Sequence, residues 1–123
     1  MIRGLARTVV CMLAFVALAA CTRSAPVDMG AVRAAVGPKP VVLLSASWCG
    51  YCRKLRGDLK RWGVAFDEYD VEDSRAGSHA YGLLRGSGVP ILLVNQSPIH
   101  GYMPQRAHQL LAAASLLPDD GAH

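Results

Sequence analysis

Cys49 and Cys52 are separated by Gly50-Tyr51, and a run with helical periodicity opens at them. A Cys-x-x-Cys at a helix start sets the first thiol where backbone N–H groups and the positive end of the helix dipole stabilise a thiolate. That anion is the species that attacks a disulfide. Each tenfold preference for it corresponds to about 1.4 kcal/mol. The second thiol lies one turn on, within reach. Cys49 therefore reads as the nucleophile and Cys52 as the resolving thiol that releases a mixed disulfide. No cofactor is implied beyond this redox-active pair.

Two sulfurs have other uses. They are half of a tetrahedral zinc site, but His79, His100, His108 and His123 supply no pair with ligand spacing and no second Cys-x-x-Cys exists, so no metal site is assigned. Cu(I) held between two thiolates stays open as an alternative, a copper-binding chaperone module. A purely structural disulfide also stays open, although closing so short a loop adds little chain-entropy stabilisation.

The elements that must position the pair are legible around it. Val41-Val42-Leu43-Leu44 is an aliphatic run of the kind buried on both faces of a sheet. Cys49, Cys52, Leu55, Leu59 and Trp62 recur at steps of three and four, with Arg53, Lys54, Arg56, Asp58, Lys60 and Arg61 off that stripe, which predicts an amphipathic helix closed by Gly63. The basic face could steer acidic substrates or anionic headgroups. A strand is expected over Val64–Val71, a helix over Ser74–Arg85 and a strand over Ile91–Val94. Pro98–Tyr102 reads as an edge strand, where proline is tolerated. Pro104 suits the first position of a last helix running to Leu117. The order β-α-β-α-β-β-α predicts an α/β domain, a mixed four-stranded sheet flanked by helices on both faces.

Before this domain lies a different kind of segment. Arg3 and Arg7 precede twelve apolar residues, Val9–Ala20, and Leu18-Ala19-Ala20-Cys21 follows at their end. That is the anatomy of a signal peptide, and the run is short for roughly 30 Å of hydrocarbon. Leu-Ala-Ala-Cys resembles the bacterial lipobox, which implies that residues 1–20 are removed and Cys21 becomes a lipidated N-terminus. At about 0.8 kcal/mol per buried methylene, several acyl chains would hold the protein on a membrane. Residues 21–38 are expected to be a tether, with a short helix from an Asp28 cap to Val36. The domain proper is expected over 39–118, with a tail at 119–123. Cys11 would leave with the leader, so the working domain keeps two cysteines in an oxidising compartment.

The chain has 123 residues, 52% of them hydrophobic, which suits one small globular domain. Its 13 Lys and Arg, less the two in the leader, leave 11 against nine acidic residues, a net of +2. That charge is too small to argue for nucleic acid.

Trp48-Cys49-Gly50-Tyr51-Cys52 after a buried strand, with Gly88-Val89-Pro90 some forty residues later, resembles the thioredoxin-fold superfamily over residues 40–117. The short middle helices and the hairpin after Pro90 are most similar to glutaredoxins, Trp48 to thioredoxins, and Gly-Tyr to periplasmic disulfide isomerases. The resemblance implies a cis Val89–Pro90 bond against the redox pair, a Val89 backbone that pairs with substrate, and Trp48 and Tyr51 as substrate contacts. It implies protein thiols and disulfides as partners, together with a redox partner in the membrane.

Leu43 stands where thioredoxins keep a buried Asp, and His100 falls at the end of the edge strand. Glutathione-dependent members hold the tripeptide with a lysine three residues before the first cysteine and a Gly-Gly pair followed by Asp; here those places hold Ala46, His100-Gly101 and Met103. The expectation is a thiol-disulfide oxidoreductase tethered to a membrane and facing the periplasm or cell exterior. Its direction depends on a reduction potential that spans about 150 mV across such proteins. The Gly-Tyr dipeptide leans it toward reductase or isomerase.

Overall fold

The computed structural model describes residues 24–119. Cys21, the apolar leader and the last residues of the tail lie outside them. The described elements are α1 (Met29–Val36), β1 (Val41–Ser45), α2 (Gly50–Arg61), β2 (Asp67–Asp70), α3 (Arg75–Leu83), β3 (Ile91–Val94), β4 (Ser97–His100) and α4 (Pro104–Ala113). Among these, no helix is long and apolar enough to cross a membrane.

The strands form one mixed sheet in the order β2-β1-β3-β4. β1 and β2 run parallel, joined by α2, with Leu43 opposite Glu68. β3 lies antiparallel to β1, with Leu92 opposite Leu43, and returns through a tight turn to β4. Asn95 at that turn takes φ 53°, a left-handed conformation that asparagine tolerates. Pro98 sits in β4 at the sheet edge, where a missing N–H costs no ladder bond.

Both faces of the central strands are covered, which explains their unbroken apolar runs. Val41, Leu43, Leu92 and Val94 pack against Leu55 and Leu59 of α2 and Ala107 and Leu111 of α4. Val42, Leu44, Ile91 and Leu93 pack against Val32 and Val36 of α1 and Ala80 of α3. Each fully buried aliphatic side chain contributes about 1.5–3 kcal/mol relative to exposure. This is the mixed sheet covered on both faces that the element order predicted, and the thioredoxin-like fold that the resemblance implied.

Several boundaries differ from the sequence reading. α1 starts after its Asp28 cap as expected, but Val32 and Val36 are fully buried, so the helix is part of the folded core and not of a tether. Its Arg33 side chain donates to the carbonyls of Lys39, Pro40 and Asn95, fastening α1 to the start of β1 and the β3–β4 turn. β2 is confined to Asp67–Asp70 because Val64 completes the end of α2: its N–H reaches Leu59 O, Gly63 N–H reaches Lys60 O, and Gly63 has φ 69°. α3 stops at Leu83, with Arg85 at φ 54°. α4 stops at Ala113, with Ser115 at φ 57° and Leu116 N–H bonded to Leu111 O.

Candidate functional site

The site grows from the C-terminal end of β1. After Ser45 the chain turns through Ala46, Ser47 and Trp48, and Cys49 N–H donates to Ala46 O at 3.1 Å. Cys49 is the N-cap of α2: its backbone is extended, and its Sγ accepts the Cys52 N–H at 3.1 Å. Cys49 and Cys52 are joined as a disulfide with Cα atoms 5.2 Å apart. Cys52 has no exposed surface, while Cys49 keeps 4%. The pair packs on Ala46, Val71 and Val89. Cys49 Sγ lies 3.7 Å from Val89 O, and the Val89–Pro90 bond is cis.

The two thiols are thus chemically unequal. In the reduced state a charge on Cys49 would keep the Cys52 N–H and the helix N-terminus, whereas Cys52 is enclosed.

Aromatic side chains flank the pair. Trp48 is 66% exposed, and its indole Nε1 donates to Glu72 Oε1 at 2.6 Å. Tyr51 is 59% exposed and stacks on Tyr102, ring centroids 5.5 Å apart and planes at 27°. The Tyr102 hydroxyl donates to Asp58 Oδ2 at 2.7 Å, which pushes its pKa up. Asp58, placed off the buried stripe by the sequence reading, is in fact buried, with its second oxygen paired to Arg61. Burial is tolerated because both oxygens are engaged. Tyr102 and Asp58 were the residues that sequence reasoning missed; an aspartate three residues after Leu55 on the same helix face was their only signal.

Two further carboxylates set the surrounding loops. Asp70 accepts the backbone N–H groups of Asp73 and Glu72, which hold its pKa below the usual range, and it also meets the Ser47 N–H. It thereby fixes the β2–α3 turn beside the motif. Glu68, next to Leu43 across the sheet, is held by Arg56 in a two-point pair and by the buried Ser45 hydroxyl at 2.7 Å. Arg56 lowers its pKa first and Ser45 assists. Leu43 itself is fully buried in the core. His100 ends β4, exposed, opposite Ile91. Among the described residues no three His, Cys, Asp or Glu side chains converge.

The glutaredoxin family model matches residues 41–99. Two chains of Mycobacterium tuberculosis that carry the glutaredoxin name, from strains CDC 1551 and H37Rv, are 37% identical over 46 residues, 37% of this chain and 55% of theirs. The chain thus spans about half the length of the curated relatives it matches. Among solved structures, a buckwheat glutaredoxin in complex with glutathione is similar at TM-score 0.56 and 17% identity, covering 73% of this chain and 88% of that one. Wheat glutaredoxin is similar at TM-score 0.57 and 22% identity, over 76% and 92%. NrdH-redoxin of Escherichia coli, a glutaredoxin-like protein described by its thioredoxin-like activity profile, is similar at TM-score 0.52 and 14% identity, over 57% and 92%. The sheet order, the Cys49–Cys52 pair at the α2 N-terminus and the match over 41–99 agree: the chain has the thioredoxin-like fold, and its residues 41–99 are similar to glutaredoxins.

Proposed function

We propose that this protein is a thiol-disulfide oxidoreductase acting on protein disulfides outside the cytoplasmic membrane. The observation that carries the reading is the asymmetry of the pair: Cys49 caps α2 and accepts the Cys52 N–H, while Cys52 is fully enclosed. In the reducing direction the Cys49 thiolate attacks a substrate disulfide. The substrate S–S bond breaks, one substrate sulfur leaves as a thiolate and takes a proton, and a mixed disulfide forms. Cys52 then gives up its proton and attacks the Cys49 sulfur, releasing the second substrate thiol and closing Cys49–Cys52. Two electrons have passed to the substrate, and a dithiol donor must return them. In the oxidising direction every step reverses.

Reduction or isomerisation is the direction we assign, on the likeness of Gly50-Tyr51 to isomerase motifs. Protein disulfides are preferred to glutathione because the places where glutathione-dependent members hold the tripeptide carry Ala46, His100-Gly101 and Met103, without the lysine and the aspartate that grip it there. The fold itself serves both kinds of substrate: one similar structure holds glutathione and another is described by a thioredoxin-like activity. Cys21 is proposed as an acylated anchor with a membrane redox partner nearby, on the strength of Leu18-Ala19-Ala20-Cys21. Labelled fatty acid should enter the protein and be lost in Cys21→Ser. An unmodified mature N-terminus at another residue would remove the anchor.

The activity is tested by insulin reduction with a dithiol donor beside Cu(I) titration of the reduced protein. Turnover lost in Cys49→Ala supports the proposal. Tight Cu(I) binding without turnover would replace it with the copper-module alternative.

A further inference from the structure

Helix α2 carries five cations, and the structure divides them. Arg56 is held by Glu68, and Arg61 by Asp58. Lys60, Arg53 and Lys54 are exposed and have no ion-pair partner among the described residues, and of these Arg53 and Lys54 directly follow Cys52. With Gly50 and Tyr51, Arg53 and Lys54 line an open depression of about 590 Å³ beside the disulfide. Its aromatic wall is fixed: Tyr51 stacks on Tyr102, the Tyr102 hydroxyl is held by buried Asp58, and Lys54 Nζ stands 5.3 Å from the centre of the Tyr51 ring. A wall already ordered before binding lowers the entropic cost of docking a chain on it.

Charge is polarised across the pair. On the Trp48 side, Glu72 is bonded to the indole, and Asp70 and Asp73 lie in the same turn. On the Tyr51 side stand Arg53 and Lys54. We propose that this depression docks an extended polypeptide carrying an acidic side chain next to its reacting cysteine, and that Arg53 and Lys54 select such substrates over basic ones. The inference rests on the thiol-exchange reading and adds its substrate class. Neighbouring residues of an extended chain are spaced at about 3.3–3.6 Å, so a carboxylate one or two positions from a sulfur at Cys49 falls against the start of α2. Exposed charge pairs are individually weak and screened by salt, so the selectivity should be modest, roughly three- to tenfold at low ionic strength, and should shrink as salt rises.

The test uses the full chain and three ten-residue peptides that differ only in Glu, Gln or Lys beside one position. With serine at that position, binding is read by NMR titration of a Cys49→Ser/Cys52→Ser protein. With cysteine disulfides there, exchange by the wild type is followed in parallel. The Glu peptide should bind roughly fivefold tighter than the Lys peptide. Arg53→Glu/Lys54→Glu should reverse the order, and Lys60→Glu, at the far end of α2, should leave it intact. Equal affinities, or an order unchanged by the double reversal, would overturn the docking proposal. So would a double reversal that only abolishes binding to phosphatidylglycerol vesicles, which would make the patch a lipid contact. Exchange without charge preference sinks the docking site alone. Charge-selective binding without any exchange supports the docking site and sinks the redox reading.

Discussion

Cys49 Sγ and Val89 O stand 3.7 Å apart although forty residues separate them in sequence. Their meeting is a product of the sheet: β1 delivers Cys49 from its C-terminal end, and Val89 enters the adjacent antiparallel β3 one residue before buried Pro90. Gly101 N–H closes the same corner by donating to Pro90 O at 2.8 Å. Cys49 Sγ therefore has a backbone carbonyl on one side and the α2 N-terminus on the other.

That setting makes the reduced thiols differ in accessibility. Brief alkylation of the reduced protein at neutral pH should label Cys49, with Cys52 modified at least tenfold more slowly because it is fully enclosed. Peptide mapping of the labelled protein reads the ratio. Equal labelling would remove the asymmetry on which the assignment of roles rests.

Tyr102 and Asp58 should be energetically coupled. Tyr102→Phe leaves the ring stack on Tyr51 but deprives a buried carboxylate of one donor, and should cost about 1–3 kcal/mol in denaturant unfolding. Combined with Asp58→Asn, the two losses should be less than additive. Additive losses would mean that the bond contributes nothing.

Arg56 and Ser45 hold Glu68 below its ordinary pKa, so the folded state favours the carboxylate more than the unfolded chain does. The resulting stability is present above the ordinary glutamate range and is lost as pH falls through the lowered folded-state value. Glu68→Gln should therefore melt below wild type at pH 7, by an amount on the order of 1 kcal/mol or less for so exposed a pair, and the gap should close toward pH 3. A gap that widened in acid would contradict the sign.

Glutathione should be a poor substrate. Ala46 is buried against the disulfide, and His100 and Met103 are exposed but carry no acidic group. Losing two charge-assisted contacts of about 1.5–3 kcal/mol each weakens recognition by roughly two to four orders of magnitude. Efficient turnover of a glutathione mixed disulfide, with little reduction of a protein disulfide, would overturn the substrate class.

Much of the fold was legible because its signals are local. Val41–Leu44 and Ile91–Val94 are apolar runs that only a sheet covered on both faces explains, and the Cys49-to-Trp62 periodicity marks α2. The site's two sulfurs were legible for the same reason. What was not legible depends on tertiary partners. Met29–Val36 has the pattern of a short amphipathic helix, but only packing on α3 and the sheet makes it core. Asp58 looks like one more charge on a charged helix until Tyr102 arrives from the loop after β4 to satisfy it. The ends of α3 and α4 were overrun because Arg85 and Ser115 take left-handed backbone that neither residue type announces.

The central claim is that Cys49 attacks and Cys52 resolves, and trapping the intermediate tests it most directly. The full chain carrying Cys52→Ala, incubated with a disulfide-bonded protein substrate, should accumulate a mixed disulfide that mass spectrometry places on Cys49. Cys49→Ala should trap none. Substrate captured through Cys52 in the Cys49→Ala protein, with nothing on Cys49 in the converse variant, would reverse the roles and contradict the account.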